Sequence, residues 1–306
     1  MAVIYTRNKA LDTNPPAGDS HLSEGGSDWL WAVTAIYTVC FLAYFALGLK
    51  PRHGEKIFHY LFTIALLAGA VAYFAMASDL GWSVVVTSLN RGDAATYQVF
   101  FVKYINWVVS FPVVIIALGL ISGVSWATIF FNVALAWTWI VTYLCSAYVA
   151  TSYKWGFYAF GTVAWLLLAM QTLWTGLSSA TRVDLRRDYV AMAGWLNMLW
   201  MLYPIAFAVS DGGNVISVPK SLVYFGILDV LMLPGLAFMF LFFSRKWDYG
   251  HLNLHFTQYG RVAGREGVFP EKAPAPATTA PATSAPGTSV PSTTQPGVVV
   301  PKEEGA

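Results

Sequence analysis

The chain has 306 residues, 57% hydrophobic and 11% charged, where a soluble domain carries about 25% charged residues. With a mean hydropathy of +0.55, 16% aromatic residues and a net charge of +2, the composition excludes a disordered chain, a soluble globule and a basic nucleic-acid binder. Cys40 and Cys145 both fall in apolar runs, so no disulfide framework is expected.

Residues 1–28 are polar, with Pro15, Pro16 and a Gly-Gly pair, and predict an exposed tail without a cleavable signal. Seven apolar stretches follow: Trp29–Leu49, Ile57–Ala77, Tyr97–Ile121, Trp126–Ala150, Trp155–Leu177, Tyr189–Val209 and Leu222–Phe243. Each is about 20 residues or longer, enough to cross roughly 30 Å of hydrocarbon at 1.5 Å per residue. Lipid accepts only helices or closed barrels, and no alternating pattern suggests a barrel. The short connections predict an all-α membrane protein, a seven-transmembrane-helix up-down bundle over residues 29–250. One set of helix ends holds Lys50, Arg52, Lys56, Arg182, Arg186, Arg187, Arg245 and Lys246, the other Arg91, Lys154 and Lys220. That imbalance predicts an extracellular N-terminus and a cytoplasmic C-terminus. Residues 251–306 are expected to form a disordered cytoplasmic tail, Pro/Ala/Thr/Ser-rich from Pro270 onward. It reads as a solubilising extension or as a phosphorylated or partner-binding segment.

Of the charged residues, only Lys103 and Asp229 fall inside the spans, and a charge at membrane depth is costly unless paired or hydrated. Lys103, Asn106, Trp107 and Ser110 share one face of the third span, and Phe225, Asp229 and Leu233 one face of the seventh. Facing inward, Lys103 and Asp229 would line one interior. The reading is a polar cavity for a proton, ion or small ligand, or an ion pair that fixes helix register. Trp107, Trp200, Tyr203 and Phe207, beside Pro112 and Pro204, would make a cage for a flat apolar ligand or an ordinary bundle core. With no nucleophile–base pair, metal-ligand cluster or phosphate loop, an enzyme is not expected. His59 reads as a hydrogen-bonded interfacial residue.

These motifs resemble the microbial rhodopsins, particularly their fungal branch. The third span reads FFVKYINWVVSFPVVIIALGL, with Tyr104, Trp107 and Pro112 in the family's Tyr-x-x-Trp…Pro framework, and the fifth opens SYKWGFYAFG, which brings Tyr158. Trp200-Met201-Leu202-Tyr203-Pro204 is similar to the family's retinal clamp, and Leu228-Asp229-Val230 to its Leu-Asp-Val before the retinal lysine. The resemblance covers residues 28–250 and implies the pocket residues Tyr104, Trp107, Tyr158, Trp200, Tyr203, Pro204 and Phe207, all aromatic but Pro204. It also implies that the retinal-attachment position is Leu233, the primary proton acceptor Asn106, the proton-donor position Ala117 and the family's arginine Lys103. Asp229 alone keeps its counterion carboxylate.

The interior expected from these losses is Lys103 against Asp229, formally neutral, with Asn106 and Ser110 completing a polar cluster. By resemblance the chain falls in a lysine-less subgroup that includes stress-inducible heat-shock proteins of the fungal plasma membrane. The expected role is a stress-associated regulator or partner-binding protein, with the proton-pumping ATPase or other membrane proteins, further copies of the chain and the lipid bilayer as partners. No covalent cofactor is expected, and a non-covalent retinoid or sterol stays open. The alternative is a passive or ligand-gated proton or ion pathway, against which Val113 to Leu120 carry no polar side chain.

Overall fold

In the computed structural model, which describes residues 8–49, 56–87, 95–249, 252 and 254, seven helices are long and apolar enough to cross a membrane. After a short α1 (Ala10–Thr13) come α2 (Glu24–Gly48), α3 (Lys56–Ala77), α4 (Phe101–Ser122) and α5 (Trp126–Tyr148). In the fifth span, α6 (Lys154–Met170) continues through a π-helical turn, Gln171–Gly176, into α7 (Leu177–Arg182). The last two spans are α8 (Arg186–Val209) and α9 (Val218–Phe243). Consecutive helices pack side by side, and α9 returns against α2 to close the ring. The most buried span is α4, so its residues define the interior.

Local chemistry sets the helix ends and joints. Ser23 and Ser125 cap α2 and α5, their hydroxyl oxygens accepting from the Gly26 and Thr128 amides at 3.2 Å. Gly123 stops α4 at φ +66, a conformation glycine adopts without strain. At Gly69 of α3 a Cβ would overlap the Tyr37 ring, so the missing side chain lets α2 and α3 approach closely.

Pro112, inside α4, has no N–H to give the Val108 carbonyl. The Trp137 indole of α5 supplies one at 3.1 Å. In lipid no water can replace that donor, so Trp137→Phe is expected to destabilise by about 1–3 kcal/mol. Pro112→Ala restores the helix's own donor and should remove most of that penalty. A double-mutant cycle of unfolding midpoints checks this, and an unchanged penalty in the Pro112→Ala background would separate the two features.

The end of the bundle that carries the N-terminal segment departs from the sequence reading. The third helix begins at Phe101 rather than Tyr97, because Thr96–Phe100 form strand β2, antiparallel to β1 (Trp82–Val86). Nor are the described residues before Trp29 a loose tail. Ser20 bridges Tyr97 in parallel, Leu22 is fully buried, and α2 already starts at Glu24. The Leu22 amide donates to Gln98 Oε1 at 2.8 Å, and the Asp19 carboxylate accepts from the Ala95 and Thr96 amides and the Thr96 hydroxyl. Those bonds hold the Asp19 carboxyl below its ordinary range, the Thr96 hydroxyl contributing most. The signal missed was alternation in a short segment overshadowed by the apolar run behind it.

Beneath this cap Asp79 takes φ +54 and accepts from Gln98 Nε2 at 2.7 Å through one oxygen. Its other oxygen has no partner among the described residues. Burial raises its carboxyl above the ordinary 3.8, against the lowering effect of Gln98. A carboxyl raised in the fold costs stability once pH rises through its folded value. Asp79→Asn, which keeps the Gln98 contact and tolerates positive φ, should therefore melt higher than the parent at pH 7. The gain should vanish below pH 3.8, the ordinary value; paired melting curves across that range decide it.

At the opposite end, a 3-10 turn (Ser244–Lys246) follows α9 and folds Trp247 and Tyr249 onto Phe58. The Trp247 indole donates to Asp188 Oδ2 at 2.8 Å. Leu254 is buried, so the chain stays packed past the predicted boundary at residue 250. The rest of the predicted tail, with Lys50, Arg52 and Arg91, lies outside the described residues.

Candidate functional site

Every predicted interior residue on α4 is buried: Lys103, Tyr104, Asn106, Trp107, Ser110 and Ala117. So are Trp200, Tyr203 and Phe207 of α8 and Asp229 and Leu233 of α9. The expected Lys103–Asp229 pairing is not what forms. Lys103 Nζ binds Asp211 Oδ2 at 2.6 Å, and Tyr104 donates its hydroxyl to the same oxygen at 2.6 Å. The ammonium also lies 4.3 Å from the centre of the Phe225 ring, a favourable cation–π position.

Helix geometry explains the correction. Side chains tilt toward a helix's N-terminus, and Lys103 is the third residue of α4. Its long stem therefore runs up to the α8–α9 connection, where Asp211 sits two residues beyond α8, and away from Asp229. One turn deeper, Trp107 reaches Asp229 instead, donating its indole N–H at 2.9 Å. Tyr203 and Tyr73 each donate a hydroxyl to Asp229 at 2.6 Å, while Tyr37 donates to its backbone carbonyl at 2.9 Å. The site thus holds two carboxylates, with Lys103 on Asp211 and the buried Lys154 within its electrostatic reach, not the neutral pair expected. One carboxylate is ion-paired, and the other is held by three neutral donors.

Asn106 and Ser110 join neither group: the amide atoms of Asn106 and the Ser110 hydroxyl have no partner among the described residues, nor does the Trp200 indole N–H. Below them, Val113, Val114, Ala117, Leu118 and Ile121 are buried and apolar.

The aromatic residues come together more tightly than a cage. Trp107 lies 5.4 Å from Tyr203, Phe111 5.5 Å from Trp200, and Trp139 6.0 Å from Trp200, as ring centres. Tyr158 stacks on Tyr143 at 5.2 Å and on Phe207 at 5.9 Å, and its hydroxyl donates to the Pro204 carbonyl at 3.3 Å. The cavity enclosed by Trp107, Phe111, Trp139, Tyr143, Tyr203 and Phe207 is about 10 Å³, against roughly 300–1,000 Å³ for small-molecule sites.

Sequence reasoning missed Asp211, Tyr73, Trp139 and Tyr143. Asp211 sits in Ser-Asp-Gly-Gly-Asn, which reads as a turn. Its one signal was an acid just past a span end, on the side where α4 begins. Tyr73 and Trp139 resemble the other aromatics of their spans, and nothing local singled them out.

Seven spans around an α4-centred polar interior define an opsin-type membrane bundle. The chain belongs to the bacteriorhodopsin-like protein family, whose model matches residues 25–246. It is 40% identical over 278 residues to Protein FDD123 of Trametes versicolor, covering 89% of this chain and 96% of that one. It is 29% identical to the 30 kDa heat shock protein of Saccharomyces cerevisiae, covering 75% and 76% of the two chains. Among solved structures it is similar to a light-driven proton pump of Leptosphaeria maculans, with TM-score 0.69, 27% identity and coverage of 74% and 96%. Retinal, the group the family resemblance implies, would find no amine at Leu233, and the ring cluster encloses about 10 Å³.

Proposed function

We propose that the chain is a non-photochemical, opsin-related protein of the plasma membrane. It would lie with its N-terminus outside and its C-terminus in the cytoplasm, and act without enzymatic chemistry as a stress-associated regulator that binds a membrane partner. The proton-pumping ATPase is the partner to test first. The observation that carries the reading is Leu233, fully buried on α9 one turn beyond Asp229, where the family resemblance places the retinal lysine. Similarity to a protein named for heat shock supports the association with stress. In this reading the aromatic cluster is packed core, and a retinoid or sterol would enter only by separating its rings.

An ion pathway is less well supported. Asn106 and Ser110 could hold water near one end, but the buried apolar half of α4 below them would stay dry. The test is crosslinking in native membranes before and after heat shock, followed by capture of the tagged full chain. Enrichment of the proton-pumping ATPase after shock is the expected result. No enrichment, together with equal proton efflux with and without the chain, would overturn the regulator reading.

A further inference from the structure

The N-terminal segment does more than cover the bundle, because it builds one wall of a cleft of about 760 Å³ beside the starts of α1 and α2. The wall is pinned at three points. Asn14 donates to the Ser78 carbonyl at 2.8 Å, and Asn8 donates to Ser27 Oγ at 2.7 Å and to Asp28 Oδ1 at 3.0 Å. Buried Ser27 in turn donates to the Ala77 carbonyl at 2.6 Å. Lys9, Asp28 and Trp31 line the opening. Lys9 and Asp28 are exposed and do not pair with each other, so the cleft presents an ammonium, a carboxylate and an indole face together.

Its depth and its floor point to lipid. Asp28 and Trp31 lie four and seven residues into α2, about 6 and 10 Å below the helix start at 1.5 Å per residue. The apolar run of this span opens at Trp29, so Asp28 and Trp31 straddle its polar end, where headgroups are expected to meet hydrocarbon. The Trp31 ring meets Phe74 of α3 edge-on at 5.5 Å. Below this contact α2 and α3 run antiparallel with their outer faces bare. Ala35, Val39 and Leu42 are exposed on α2, and Val71, Leu67 and Ile64 on α3. On membrane-spanning helices such faces meet acyl chains, and here a seam between two of them runs directly into a polar cleft.

We propose that this cleft is a specific phospholipid site for a zwitterionic headgroup. Its ammonium sits on the Asp28 carboxylate and the Trp31 face, its phosphate on Lys9, and an acyl chain lies along the α2–α3 seam. A carboxylate and an indole favour a cationic amine, whereas phosphatidylglycerol shares the phosphate but brings no cation to Asp28. The site is independent of the partner reading above and of which leaflet it faces.

Native mass spectrometry of the full-length protein in detergent, titrated with matched-chain phosphatidylethanolamine, phosphatidylcholine and phosphatidylglycerol, tests it. Both zwitterionic lipids should be retained about five- to ten-fold better than phosphatidylglycerol, the scale of one ion pair plus one cation–π contact. Asp28→Asn keeps an acceptor for Asn8 and should reduce that preference to the roughly two- to three-fold of the remaining Trp31 contact, about 0.5 kcal/mol, at unchanged Tm. Lys9→Gln should weaken all three lipids alike, and Trp31→Leu should weaken the two zwitterionic ones. Equal or better retention of phosphatidylglycerol by the parent, or a preference untouched by Asp28→Asn and Trp31→Leu, would overturn the proposal.

Discussion

Lys103→Met is expected to destabilise the detergent-purified protein by about 3–5 kcal/mol, and Asp211→Asn by a similar amount, while the double variant recovers most of the loss. Each single change breaks the ion pair and leaves one of its two charges buried; the double change removes both charges of the pair. The two losses should be comparable, since Lys103 in Asp211→Asn keeps the Phe225, Tyr104 and Trp107 rings, and Asp211 in Lys103→Met keeps the Tyr104 hydroxyl. The matching comparison is Lys103→Met with Asp229→Asn, whose coupling should be clearly smaller, because the two residues share only the Trp107 ring and no ion pair joins them. Unfolding free energies for the two cycles decide the matter. Strong coupling in the second cycle and none in the first would restore the pairing read from sequence.

Asp229→Leu should be the most damaging single change in the interior. It strands the Tyr73 and Tyr203 hydroxyls and the Trp107 indole N–H together, at about 1–3 kcal/mol for each unpaired group. Asp229→Asn should cost far less. Its carbonyl oxygen still accepts from Trp107, and a tyrosine hydroxyl can turn to accept from the new amide. Expression and melting temperature of the two variants give the comparison. Equal damage from both would mean that charge, not hydrogen bonding, is what the site needs from Asp229.

The parts of the fold that were legible in sequence were those with long-range repetition. Seven apolar runs, each bounded by charges or turn residues, placed the spans and their up-down order. Pro112, Pro204 and the aromatic positions of α4 and α8 fixed which faces turn inward. What the sequence hid was decided by contacts between distant segments. Asp211 looks like a turn acid until α4 brings Lys103 beneath it. Leu22 and Ser20 look like tail until β2 supplies a strand edge. Tyr97 reads as membrane helix because its run is apolar, yet hairpin pairing with β1 outweighs helix propensity there. The same limit applies to Lys103: sequence gives the depth of a Cα, but the direction of a long side chain selects its partner.

On this reading the opsin-type bundle works without a retinal Schiff base. This is tested most directly by incubating the purified full chain with all-trans retinal and recording its visible absorbance before and after hydroxylamine. With Leu233 at the attachment position, Lys103 engaged by Asp211 and the ring cluster closed to about 10 Å³, the spectrum should remain that of free retinal. A red-shifted band that hydroxylamine bleaches would contradict the account and return the chain to the photochemical members of its family.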